Sequence, residues 1–191
     1  LSDVALGVDF ARSNGADIIN MSLGSDTALA TLETAITNAV NAGILVVAST
    51  GNSAATQISY PARYDNVIAV GATDTEDVVT SYSNEGTGID LVAPGGDCDD
   101  NGQNCTYVSQ ETYSSFSNEG LPNNFSTFGM VGYQGTSQAA PHVTAAAALL
   151  LAFGTPASQV ESILETSAVD LGTIGYDTTY GNGRLDIAGA L

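Results

Sequence analysis

Gly135-Thr136-Ser137-Gln138-Ala139-Ala140-Pro141-His142-Val143 runs on into an alanine- and leucine-rich stretch ending at Leu151. The pattern sets a hydroxyl at the mouth of a helix, among residues small enough to let another backbone come close. The first turn of a helix carries N–H groups without intrahelical partners and a partial positive charge. Negative charge developing beside the Ser137 hydroxyl is therefore favoured, as nucleophilic attack on a carbonyl requires. The plain alternative is that Thr136 or Ser137 only caps the helix. Gly51-Asn52 follows directly on Val46-Val47-Ala48-Ser49-Thr50. Ligands of open α/β sheets bind beyond the carboxyl ends of the strands, so Asn52 is placed to face one. Its amide can donate to a tetrahedral oxyanion, although Gly-Asn after a strand also reads simply as a turn. Asn20-Met21-Ser22-Leu23-Gly24 ends another strand in glycine. An extended peptide can add its backbone to such an edge.

Alternating helices and strands must position these groups. Val4 to Ser13 reads as a helix and Asp17 to Ser22 as a short buried strand. Leu32, Ala35, Ile36, Ala39 and Val40 recur with the spacing of one apolar helix face, which Gly43 ends. Ile44 to Ala48 is a continuous apolar run of the kind found in central parallel strands. Val67 to Gly71 and Ile89 to Ala93 read as further strands. Residues 95–131 are rich in Gly, Asn, Ser and Asp and are expected to form a long surface excursion. The Ser137 helix ends at Gly154-Thr155-Pro156, and helices near 158–165 and 185–191 close the chain. This order predicts an α/β three-layer sandwich with a mostly parallel sheet flanked by helices. It is read as one domain portion, 1–191.

The chain has 191 residues, 43% of them apolar, enough to bury a core, and no run reaches the length of a membrane span. No targeting signal is visible at its start. Twenty-one acidic residues face Arg12, Arg63 and Arg184 and no lysine, a net charge of −18. Such a surface repels phosphate backbones, which excludes nucleic-acid binding. Its self-repulsion is relieved by salt, so the composition reads as adaptation to saline surroundings or as that of an acidic secreted protein. Cys98 and Cys105 are too few for a zinc site. A local disulfide implies an oxidising compartment and secretion; two free thiols are the alternative.

Taken together, these segments resemble the subtilisin-like serine proteases (subtilases). Ile19 to Gly24 is similar to the family's substrate-binding strand and Val46 to Asn52 to its oxyanion segment. Tyr60-Pro61-Ala62-Arg63-Tyr64, Val67 to Ala72, Ala93-Pro94-Gly95, the Ser137 block and Tyr180 to Asp186 follow in family order. The resemblance implies that Ser137 is the nucleophile and Asn52 the oxyanion donor. Ser22, Leu23 and Gly24 would bind the substrate strand. Ser49, Thr50 and Gly51 would wall the specificity pocket, with Ser59 at its base and Tyr60–Pro61 cis. Gln138 departs from the methionine common in the family. Residues 97–131 fall outside the resemblance.

A serine nucleophile needs a base held by a carboxylate. The chain has a single histidine, His142, five residues beyond Ser137 on the same helix. That spacing does not bring the two side chains together, and the resemblance gives His142 a structural role. The family order is Asp, His, Ser. The Asp and His segments are therefore expected upstream, and the 191 residues as the C-terminal two-thirds of the domain. The implied function is a serine endopeptidase acting on peptide or protein substrates. A non-catalytic relative serving in binding or assembly is the alternative, and the missing front part of the domain is a further expected partner. An esterase of the α/β-hydrolase type is disfavoured by Gly-x-Ser-x-Ala. Asp97-Cys98-Asp99-Asp100-Asn101-Gly102 matches the opening of a calcium loop, making Asp97, Asp99 and Asn101 candidate Ca2+ ligands. Val108 replaces the glutamate that would complete an EF-hand. The resemblance offers a second cation site from the carbonyls of Ala62, Tyr64 and Val67 with Asp90.

Overall fold

The computed structural model describes residues 2–98, 105–106, 109–114 and 128–191, with side chains for 2–98 and 132–191. Four apolar runs form its central sheet: β1 (Ile18–Met21), β2 (Leu45–Ser49), β3 (Ile68–Thr73) and β4 (Leu91–Pro94). They pair in parallel in the order β1-β2-β3-β4. Side chains alternate across a strand, and the alternation divides the core in two. Val46, Ala48, Ala69 and Val92 pack on one face of the sheet. Val47, Ile68, Val70, Leu91 and Ala93 pack on the other. Burial on both faces is why these strands read as unbroken apolar runs.

Helices cover each face. α1 (Ser2–Ser13) and α2 (Ala30–Asn41) contribute Ala5, Val8, Leu32, Ala35, Ile36 and Ala39 to the first core. Gly43 ends α2, its φ of +85° suiting a residue without Cβ. α3 (Thr136–Ala152) and α4 (Ala157–Ser167) cover the second face. The inward side of α3 is built of Ala139, Ala140, Val143, Ala146, Ala147 and Leu150. These small residues let it lie close against all four strands. The three layers are those expected from the sequence.

Some boundaries differ. β4 starts at Leu91 rather than Ile89, because the Ile89 N–H turns back to the Gly86 carbonyl (3.4 Å). The last helix, α5 (Ile187–Ala190), is a single turn capped by the Asp186 carboxylate on the Gly189 N–H (3.0 Å). Within the expected surface excursion the chain forms two antiparallel pairs. β5 (Asp97–Cys98) pairs with β6 (Cys105–Thr106), placing Cys98 opposite Cys105. β7 (Ser109–Ser114) pairs with β8 (Phe128–Tyr133). No helix among the described residues is long and apolar enough to cross a membrane.

Candidate active site

α3 is capped by Gly135, which offers no side chain and holds φ at +149°. Thr136 and Ser137 are therefore the first helical residues, not caps. A Cβ at Gly135 would come within 3.0 Å of Gln138 Oε1 and 3.3 Å of Asn52 Nδ2. Glycine thus serves both the backbone angle and the close passage of Asn52. The carboxamide oxygen of Asn52 accepts from the Thr136 N–H (2.9 Å) and the Thr136 hydroxyl (2.7 Å). The Gly51 N–H donates in turn to the Thr136 hydroxyl (3.3 Å). With its oxygen so engaged, Asn52 has its NH2 left to offer. Asn52 and Ser137 line one pocket of about 290 Å³.

The same helix explains how β1 is tied to the serine. Pro141 has no N–H, so the Ser137 carbonyl four residues earlier lacks its helical donor. The Ser22 hydroxyl supplies it (2.8 Å), and Ser137 Oγ lies 3.5 Å from the Ser22 carbonyl. Asn20 extends this link, donating to Ser22 Oγ (3.0 Å) and accepting from the Thr144 hydroxyl (2.9 Å). Leu23 and Gly24 line the pocket. Among the described residues their main-chain groups enter no hydrogen bond, which leaves an open edge for an extended chain. Ser49, Gly51 and Ser59 line the pocket too. Thr50 does not: its side chain is wholly buried, since neighbours on an extended chain face opposite ways. It contributes its carbonyl, which accepts from the Ser59 N–H (2.8 Å).

Asn84 was not singled out from the sequence, yet it joins both pocket walls. Fully buried, it donates to the Thr50 carbonyl (3.1 Å) and Ser59 Oγ (3.2 Å). Its oxygen accepts from the N–H groups of Ser53 (2.9 Å) and Ala55 (3.0 Å). A Cβ on Gly51, at φ +108°, would collide with this amide. A single asparagine in a loop of Ser, Asn and Gly carries no periodic signal. His142 turns its Nδ1 to the Gln138 carbonyl (2.8 Å). A carbonyl only accepts, so Nδ1 bears the proton and the ring is held against its own helix.

The two proposed cation sites fare differently. The Asp97 carboxylate accepts from the Cys98 N–H (2.8 Å); Asp99 and Asn101 lie outside the described residues. Ala62, Tyr64, Val67 and Asp90 line one cavity of about 200 Å³, together with Glu161. The Tyr64 carbonyl also accepts from the Val67 N–H (3.3 Å). Burial pushes the Asp90 carboxyl up to about 7, against the lowering effect of the Ala69 N–H, and nearby Glu161 and Glu165 add to the rise. Burial raises both glutamates as well. Oxygens of the three carboxyls lie within 4.8 Å of one another. The glutamates sit four apart on α4, a spacing that puts them on one helix face; neither was singled out from the sequence.

A helix-mouth serine and an amide share one cleft at the carboxyl end of a parallel sheet with helices on both faces, an α/β architecture of the subtilisin type. The chain belongs to the subtilase family, whose model matches residues 1–183. It is 38% identical to subtilisin BL of Lederbergia lenta, over all of this chain and 62% of that protein. It is also 38% identical to an alkaline protease of Alkalihalobacillus alcalophilus, over all of this chain and 44% of that protein. A solved protease structure from Pseudoalteromonas arctica superposes with a TM-score of 0.82 at 34% identity, covering 99% of this chain and 57% of that one. A prenylagaramide maturation protease gives 0.77 at 28% identity, covering 98% and 66%. The chain thus spans less than two thirds of the length of these relatives.

Proposed function

We propose that this chain is the Ser-bearing part of a serine endopeptidase domain whose Asp and His lie outside it. Ser137 Oγ attacks the carbonyl carbon of a peptide bond and passes its proton to the histidine. The Asn52 NH2 and the Ser137 N–H, at the positive end of α3, hold the oxyanion. Collapse breaks the C–N bond, the histidine returns the proton to the departing amine, and an ester on Ser137 remains. Water, deprotonated by the same histidine, then releases the acid. The substrate lies along the open edge at Ser22, Leu23 and Gly24. Gln138 does not enter these steps.

One observation carries the reading: Thr136, next to Ser137, grips the oxygen of Asn52 with both its N–H and its hydroxyl. With the oxygen so held, the NH2 is the end left to serve an oxyanion in the pocket that Asn52 and Ser137 both line, which supports an enzyme over a binding module. The full-length protein should hydrolyse casein, and Ser137→Ala should abolish this while leaving the melting midpoint within a degree or two. Undiminished hydrolysis by that variant contradicts the reading.

The same proposal covers the protein's setting. Cys98 is disulfide-bonded, its cross-strand partner is Cys105, and a disulfide suits a secreted protein. Subtilases commonly bind calcium. Asp90 and Glu161 share a cavity with Ala62, Tyr64 and Val67, whose carbonyls would complete an all-oxygen set suited to a hard cation. A cation there would neutralise three crowded carboxyls and brace β3 against α4; it takes no part in the chemistry. The excess of acid suits saline surroundings.

A further inference from the structure

The pocket beside Ser137 contains a charge that the steps above leave unused. Asp26 lines it with Leu23, Ser49, Ser53 and Ser59. Leu23 brings the one large apolar side chain; besides Asp26 the others are hydroxyls, two glycines and the amide of Asn52. Ser59 is buried, and its hydroxyl accepts from Asn84 (3.2 Å). Its own hydrogen is therefore free to point at Asp26 Oδ1, 3.5 Å away, the outer limit of a hydrogen bond. Among the described residues no cation answers this carboxylate. Arg12 pairs with Asp9, Arg184 with Asp77, and Arg63 stacks over Tyr60; the chain has no lysine. An apolar side chain entering here would cover a carboxylate and several hydroxyls without partnering them. An acidic one would be repelled.

We infer that Asp26 sets specificity, and that the residue whose carbonyl Ser137 attacks carries a cationic side chain, arginine or lysine. This rests on the protease reading above and names the substrate class of the same cleft. The cavity of about 290 Å³ has room for such a side chain. A guanidinium or ammonium reaching Asp26 gains a charge-assisted hydrogen bond and the hydroxyls around it as further acceptors.

The test uses the full-length protein and peptide amides identical except for Arg, Lys, Leu or Glu before the scissile bond. The kcat/KM for Arg should exceed that for Leu by roughly tenfold, with Lys near Arg and Glu slowest. Asp26→Asn should cut the Arg-to-Leu ratio by roughly tenfold, while Asp26→Glu keeps Arg ahead. If Asp26→Asn does not fold, the wild-type ratio is followed as salt rises, and it should fall, because the carboxylate is exposed. A Leu preference in the wild type, or a ratio indifferent both to charge removal and to salt, overturns the inference and leaves the protease reading standing. No cleavage of any substrate, with Ser137 inert to a fluorophosphonate, overturns the protease reading and the inference with it.

Discussion

Asn52 illustrates how one side chain can serve structure and chemistry with opposite ends. Its oxygen satisfies a helix N–H that no residue of α3 can reach, and its NH2 is the group the proposed function gives to the oxyanion. If the proposed function holds, Asn52→Ala in the full-length protein should lower kcat about 10²–10³-fold with KM little changed, the loss known for this donor in a subtilisin. Thr136→Val keeps the shape but removes the hydroxyl bridging Asn52 and Gly51. It should destabilise the protein by about 1–3 kcal/mol in urea unfolding and lower kcat as Asn52 loses its orientation. A stable, fully active variant would show that the bridge positions nothing. Ser137 and Asn52 were legible in the sequence because each lies in a string of small residues at an element's end. Asn84 and Asp26 were not. Each stands singly in a polar loop, and only the folded chain brings them to Ser59.

At the scale of elements, the four parallel strands were legible because burial on both faces demands unbroken apolar runs. β5 to β8 were not, since β5 and β6 are two residues each, β7 is polar like a loop, and two glycines interrupt β8. The Asp90 cluster shows what spacing alone conceals: Asp90, just before β4, and the glutamates of α4 lie far apart in the chain, yet their carboxylates come within 4.8 Å of one another. Folded Asp90 holds its proton more tightly than the ordinary value of 3.8 allows, up to about 7. Its contribution favours the folded state below pH 4 and is lost as pH rises toward 7. Chelator-treated protein should therefore lose melting temperature across this window more steeply than Asp90→Asn does, and calcium should restore part of it at pH 8. Equal slopes would exclude the cluster as the cause. Asp177 works in the opposite sense. The N–H groups of Tyr180, Thr173 and Thr179 hold its carboxyl low despite partial burial, so its contribution is lost only in acid. Leu164 on α4, fully buried in the second core, should cost about 2–5 kcal/mol when cut to alanine.

As a whole the chain carries a net charge of −18, and its three arginines are already engaged. Repulsion among the remaining acids is screened as the Debye length shrinks from about 10 Å at 0.1 M salt to about 3 Å at 1 M. The melting midpoint should rise by several degrees over that range, and sodium perchlorate and sodium chloride should act alike at low concentration if screening is the cause. A midpoint that falls with chloride would contradict the saline reading. The fold delivers Ser137, Asn52 and the open strand edge to one cleft, and the proposed function assigns the base that activates the serine to residues outside this chain. Mass spectrometry of the full-length protein after treatment with a fluorophosphonate tests that division of labour most directly. The account predicts a single adduct on Ser137 in the full-length protein and none in residues 1–191 expressed alone. An unmodified Ser137 in the full-length protein, or ready labelling of the isolated chain, would contradict it.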